Sequence, residues 1–78
     1  MESYKSLYFI GAGGIGMSAL IRYFLAKGYP VAGYDKTPSP LTEELIKEGA
    51  QIVYDENPRL IPSYFKDPKN TLVVYTPE

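Results

Sequence analysis

The sequence contains no cysteine, no histidine and no tryptophan. Without thiols there is neither a disulfide nor a thiolate metal site, and without imidazole a zinc centre loses its other usual ligand, so no metal site is expected. An excess of charge is missing too. Eight Lys and Arg stand against nine Asp and Glu, a net charge of -1, so no basic surface invites nucleic acid and any anion site has to be local. A reducing cytoplasm fits this composition. Long apolar runs are also absent: the longest uncharged stretch, Ser6 to Ile21, is shorter than the roughly 20 apolar residues of a membrane helix, and glycines interrupt it. Nor does the start read as a signal peptide, since Glu2 offsets Lys5 and the apolar run LYFI is short. At 78 residues the expectation is one domain over 1–78, burying only about 60% of its unfolded surface. Thr76-Pro77-Glu78 follows a strand-like run directly, so this domain is expected to belong to a longer protein.

What the chain does have is glycine in one place. Four of its seven glycines lie in IGAGGIGM, from Ile10 to Met17. Inside a strand or helix each would cost roughly 0.5–1 kcal/mol relative to alanine, so the cluster needs a reason. The flanking pattern supplies one. LYFI (Leu7 to Ile10), VAGY (Val31 to Tyr34), IVY (Ile52 to Tyr54) and LVVY (Leu72 to Tyr75) are continuous apolar runs, as in parallel strands covered on both faces. Between the first two, Met17, Leu20, Ile21, Phe24 and Leu25 follow helical spacing, and Gly28 with Pro30 ends the helix. Ser39-Pro40 reads as an N-cap and first-turn proline, opening a helix through Leu41 and Leu45 that stops at Gly49. Asn57-Pro58 repeats the signal, but Pro62 limits it to about a turn, and Asp67-Pro68-Lys69-Asn70 is a turn before the last strand.

Strands alternating with helices imply right-handed βαβ units and a mostly parallel sheet, a three-layer α/β domain of Rossmann-like form with strand order 3-2-1-4, truncated after the fourth strand. In that order the chain winds in opposite directions from the first and fourth strands, which leaves a crevice between their ends. Gly11, Gly13 and Gly16 match G-x-G-x-x-G after a predicted strand and before a predicted helix, the context that gives this pattern its meaning. The first glycine permits the turn, the second lets a diphosphate reach the backbone, and the third lets helix and strand pack closely, with Gly14 as further clearance. Amides at the helix start then donate to phosphate oxygens. The bland reading is a packing turn alone.

Asp35, about 20 residues after the loop at the end of the second strand, is where a carboxylate accepts from a ribose hydroxyl; a turn acid ahead of Lys36-Thr37-Pro38 is the plain alternative. Lys36 could reach a phosphate or sugar, and Thr76 lies at the crevice, though both are also ordinary loop residues. Glu43 and Glu44, adjacent on a helix, diverge and are not a catalytic pair. No catalytic residue is expected. The residues therefore point to a nucleotide diphosphate without saying which one. An NAD(P)-binding domain of an oxidoreductase or redox sensor stays open, as does an interaction domain with no small ligand.

YFIGAGGIGMSAL (Tyr8 to Leu20), GYPVAGYDK (Gly28 to Lys36) and LVVYTP (Leu72 to Pro77) resemble the N-terminal domain of the Mur ligases, most closely the members that add L-alanine. The resemblance runs from about Ser6 to Pro77, and Ile15-Gly16-Met17-Ser18 is its more specific part. It implies a domain that holds the UDP portion of UDP-N-acetylmuramic acid and does not use NAD. The loop Gly11, Ala12, Gly13, Gly14, Ile15, Gly16 and Met17 would approach the diphosphate, Asp35 would contact the uridine, and Tyr75, Thr76 and Pro77 match the strand-end segment at the crevice. Two departures stand out. Many relatives have a glycine-histidine pair after the third strand where this chain has Tyr54-Asp55, and an aliphatic continuation after the proline where it has Glu78. The implied reaction is cytoplasmic and ATP-dependent: a muramoyl carboxylate is phosphorylated and then attacked by the amine of L-alanine, in peptidoglycan synthesis. It needs ATP, Mg2+ and a phosphate-loop lysine. No G-x-x-x-x-G-K-[ST] segment occurs here, so these residues are expected to bind without catalysing, the remaining domains of the same chain supplying the ATP chemistry.

Overall fold

The structure is a computed structural model and describes residues 4–75. Its centre is β1 (Ser6–Ile10), which pairs in parallel with β2 (Val31–Tyr34) on one side and β4 (Thr71–Val74) on the other; β3 (Gln51–Val53) extends the sheet beyond β2. The order is β3-β2-β1-β4, as the sequence predicts. Leu7 lies opposite both Val31 and Leu72. Strand ends differ from expectation by one residue, so Tyr54 and Tyr75 fall just beyond β3 and β4.

The two faces of the sheet are covered unequally. Leu7 and Phe9 of β1, Val31 of β2 and Ile52 of β3 pack against Met17 and Ile21 of α1 (Ile15–Ala26) and Leu45 of α2 (Pro40–Lys47). Burying side chains such as Phe9, Ile21 and Leu45, each fully enclosed, is worth about 1.5–3 kcal/mol apiece. The alternate residues Tyr8 and Ala32 face the other way, onto Phe65 with Ile61 and Tyr34 at its edge. The predicted third layer is here two single turns of 3-10 helix, Pro58–Leu60 and Ser63–Phe65. The second turn and the burial of Phe65 have no periodic signal in the sequence.

Helix α1 corrects one sequence expectation. Leu20 is 43% exposed, and Ser18 is buried in its stead. The buried stripe is centred on Ile21, and Leu20 lies about 100° round the helix from it. Ser18 is accommodated because its hydroxyl donates to Ile15 O at 2.8 Å. The C-terminus is as predicted, with Gly28 in the left-handed region at φ 88. In α2 the Ser39 hydroxyl accepts from Thr42 N while the Thr42 hydroxyl accepts from Ser39 N, a reciprocal capping box. Leu41 is only half-buried and Thr42 is enclosed. On the surface, Arg22 of α1 meets Glu44 and Glu48 at 3.0 Å each, an exposed network whose attraction solvent largely screens.

Between β1 and β4 the buried hydroxyls of Ser6 and Thr71 lie 2.7 Å apart. Each satisfies the other where water is excluded, so removing one strands its partner. Ser6→Ala or Thr71→Val alone is expected to cost about 1–3 kcal/mol, and the double replacement less than the sum of the two. Urea unfolding of all four chains measures this as a double-mutant cycle.

Candidate functional site

The chain leaves β1 at Ile10 and turns at Gly11, whose φ of 87 only glycine adopts readily. The amides of Gly11 and Ala12 both donate to Tyr34 O, at 2.8 and 3.0 Å, and the Gly14 amide donates to Gly11 O. Ala12 is fully buried in the core beneath the loop, so its side chain faces away from any ligand. The Gly13 amide donates to Asp35 Oδ2 at 2.7 Å, and the other oxygen of that carboxylate accepts from Thr37 N at 2.9 Å.

These contacts revise the roles expected of the glycines. A Cβ on Gly13 would stand 2.8 Å from Asp35 Oδ2 and 3.0 Å from Thr42 Cγ2. The second glycine is thus required by the chain's own packing, and its amide is engaged by Asp35 rather than free for phosphate. At Gly16 the reverse holds: a Cβ there would meet nothing within 4 Å, so close packing of helix on strand is not its reason. Gly14 would make only ordinary contacts, the nearest to Gly11 O at 3.4 Å.

With the loop amides consumed internally, the donors left are those of the first turn of α1, Ile15, Gly16 and Met17, which have no partner earlier in the helix. The N-cap is Gly14, no side chain caps the helix, and the first turn holds no acid. Helix α2, by contrast, has its capping box and Glu43 in its first turn. Ile15 is 87% exposed, an apolar side chain held in solvent at the same corner.

Two recesses meet at this end of the sheet. The larger, about 570 Å³, is lined by Ile10, Gly11, Gly14, Met17, Tyr34, Asp35, Lys36 and Tyr75. It brings together six of the twelve candidate residues from sequence, while Ala12, Gly13, Ile15 and Gly16 do not line it; Thr76 and Pro77 lie outside the described residues. The second, about 410 Å³, lies on the face opposite α1 and α2 and shares Ile10 and Tyr34 with the first; Tyr8, Asp55, Glu56, Asn57 and Ile61 complete it. Sequence reasoning missed this second recess. The available signal was strand alternation, which sends Tyr54 to the helix face and Asp55 to the other.

Burial holds the Tyr34 phenol above its ordinary value of 10.0, reinforced by Glu56, Asp35 and Asp55. Burial, and then Tyr34 itself, does the same for Tyr8. Both are therefore neutral donors at physiological pH. Among the described residues no cluster of His, Cys, Asp or Glu could hold a metal ion. No described helix is long and apolar enough to cross a membrane.

With that geometry in hand, comparison with known proteins is informative. A family profile described as "Mur ligase family, catalytic domain" matches residues 6–78. A UDP-N-acetylmuramate–L-alanine ligase from Phocaeicola vulgatus is 66% identical over 77 residues, covering 99% of this chain and 17% of the relative. Those from Parabacteroides distasonis and Porphyromonas gingivalis are 72% and 56% identical, covering 92% and 94% of this chain. The chain spans only 16–17% of the length of these relatives.

The glycines separate in a stability measurement. Gly13→Ala is expected to destabilise by about 1–3 kcal/mol through overpacking, while Gly16→Ala, with open space and no left-handed φ, is expected to stabilise by about 0.4–1 kcal/mol. Urea denaturation distinguishes them. The phenols of Tyr8 and Tyr34 add a pH dependence on the alkaline side. Because Tyr8 and Tyr34 are raised in the folded chain, the folded state keeps protons that the unfolded state releases. Their contribution is complete below pH 10 and is lost as pH rises above it. Thermal melts from pH 9 to 11 are expected to fall, and less steeply in Tyr34→Phe.

Proposed function

The chain belongs to the Mur ligase family, and from that premise we propose that residues 1–78 form the N-terminal domain of a UDP-N-acetylmuramate–L-alanine ligase and hold the UDP end of UDP-N-acetylmuramic acid. The observation that carries this reading is the first turn of α1. It has no side-chain cap and no acid, and it contains a glycine for which the chain's own packing gives no reason. A diphosphate supplies both missing elements: oxygens to accept from Ile15, Gly16 and Met17, and negative charge at the helix N-terminus, favourable by about 0.3–1 kcal/mol. Gly16 then leaves room for a phosphate to approach the backbone.

The rest of the nucleotide follows the crevice. Asp35 already accepts two amides, yet a carboxylate has about four lone-pair sites. It therefore has capacity for a ribose hydroxyl, with Lys36 beside it on the lining of the same recess. Past Tyr34, the second recess has apolar walls in Ile10 and Ile61 and polar groups in Asp55 and Asn57. Uracil presents one N–H between two carbonyls. Asp55 would accept from the N–H, and the Asn57 amide nitrogen would donate to a carbonyl, its oxygen being taken by Arg59 N. Tyr75, on the lining of the first recess, would flank the diphosphate from the β4 side.

In this reading the amide-forming chemistry belongs to the remainder of the protein. ATP and Mg2+ would be bound there, since this chain has neither a phosphate-loop lysine nor, among the described residues, a metal-binding cluster. Here the work is to bind and orient one end of the substrate. Use of ATP also sets the reaction in the cytoplasm.

An NMR titration tests the reading. UDP and UDP-N-acetylmuramic acid are expected to shift the amides of Ile15, Gly16 and Met17, and NAD to leave them in place; shifts with NAD alone would make this an NAD(P)-binding domain instead. Gly16→Ala is expected to weaken UDP about tenfold, the equivalent of one charge-assisted hydrogen bond, although it does not weaken the fold.

A further inference from the structure

The Thr42 side chain touches three separate parts of the site while being fully buried. Its methyl packs on Gly13, 3.0 Å from where a Cβ would stand. Its hydroxyl accepts from Ser39 N at 2.9 Å, lies 2.9 Å from Ser39 O and 2.8 Å from the Tyr54 phenol, and has the Ser39 hydroxyl farther off at 3.4 Å, a weaker competitor for the lone pair that faces Tyr54. One hydroxyl has one proton and two lone pairs. With the proton on Ser39 O and one lone pair on Ser39 N, the second lone pair takes the proton of Tyr54. The hydroxyl is then saturated and the rotamer is held from three sides, which fixes the methyl against the glycine loop.

Tyr54 itself comes from just past β3, packed at the edge of the main core, and lines neither of the recesses at this end of the sheet. We propose that Tyr54, acting through Thr42, is a positioning residue: it fixes Gly13 and thereby the loop from which the first turn of α1 starts. The phenol restrains the Thr42 hydroxyl, the methyl closes one side of Gly13, and Asp35 holds the Gly13 amide from the other. The loop is thus clamped between the ends of β2 and β3 and the start of α2. A preset loop loses less freedom on meeting a ligand, which raises affinity without adding a contact. That last consequence rests on reading the loop as the diphosphate site; the clamp itself does not.

Two conservative variants separate the parts. Tyr54→Phe keeps the ring and removes the phenol proton, and Thr42→Ser keeps the hydroxyl and removes the methyl. Amide hydrogen exchange in the unliganded chain is expected to rise at Gly13 by about threefold to tenfold in Tyr54→Phe, the range one neutral hydrogen bond supports, and by about fourfold in Thr42→Ser, which loses one buried methyl, with Phe9 and Val31 unchanged. UDP affinity is expected to fall about threefold in Tyr54→Phe, within the same range. Gly13 exchange equal to wild type in both variants, or raised only by the factor seen at Phe9 and Val31, overturns the clamp. So does a Tyr54→Phe chain that binds UDP as tightly as a binding wild type. If wild type binds no UDP, the function proposed above fails, and the exchange data alone decide the clamp.

Discussion

Everything at the ligand end depends on β1 having a parallel neighbour on each side. Because β2 and β4 both run with it, all strand ends that carry loops of consequence emerge at one edge. The chain must leave β1 between two occupied neighbours, and it does so by a left-handed turn at Gly11 whose following amides are caught by the last carbonyl of β2. That capture makes the loop part of the sheet and aims α1 so that its start, and not its end, faces the crevice. A helix start offers unpaired donors and the positive end of a dipole. Unpaired donors at this edge therefore follow from the strand order before any side chain is considered.

The glycine cluster, which looks like one feature in sequence, answers three different constraints. Gly11 is set by backbone angle, Gly13 by collision with Asp35 and Thr42, and Gly16 by nothing within the chain itself. A pattern such as G-x-G-x-x-G records only that side chains are absent; which neighbour excludes each one is a matter of tertiary packing. The roles drawn from the motif were right for the first glycine and had to be redistributed for the others. Glycines free of intramolecular demands speak most directly for a ligand, and here those are Gly14 and Gly16.

Much of the fold was legible because its signals are local. The caps at Ser39-Pro40 and Gly28, the turn at Asp67 to Asn70, the helical spacing of Met17, Ile21, Phe24 and Leu25, and four apolar runs in alternation with them fixed the topology. What could not be read required knowledge of the opposite face of an element. Ser18 displaces Leu20 from the interior because the helix rotates toward its smaller residue, whose hydroxyl finds Ile15 O. Phe65 is buried by a segment with no period at all, and Thr42, polar and β-branched, is enclosed because hydroxyls from Ser39 and Tyr54 surround it. Such placements depend on partners distant in sequence. Asp35 lies between the two cases: its position was predicted, but its bond to Gly13 was not.

The pair Tyr54-Asp55 gains meaning from the same geometry. Successive residues at the end of a strand point to opposite faces, so the pair is divided between two tasks by the sheet itself. Tyr54 turns to the helix face and reaches Thr42, while Asp55 turns to the other face and lines the recess beside Tyr34. Against the glycine-histidine pair that the resemblance implies, Tyr54 and Asp55 are then two independent differences. A glycine in place of Tyr54 would have no side chain with which to reach Thr42. An acid in place of histidine exchanges a ring that both donates and accepts for a group that, when ionised, only accepts. In the proposed reading, one acceptor suffices for a base with a central N–H, and Asn57, on the same recess, would supply the donor. Under the nucleotide reading proposed above, the departure would alter how that end is supported and contacted without removing the means of holding it.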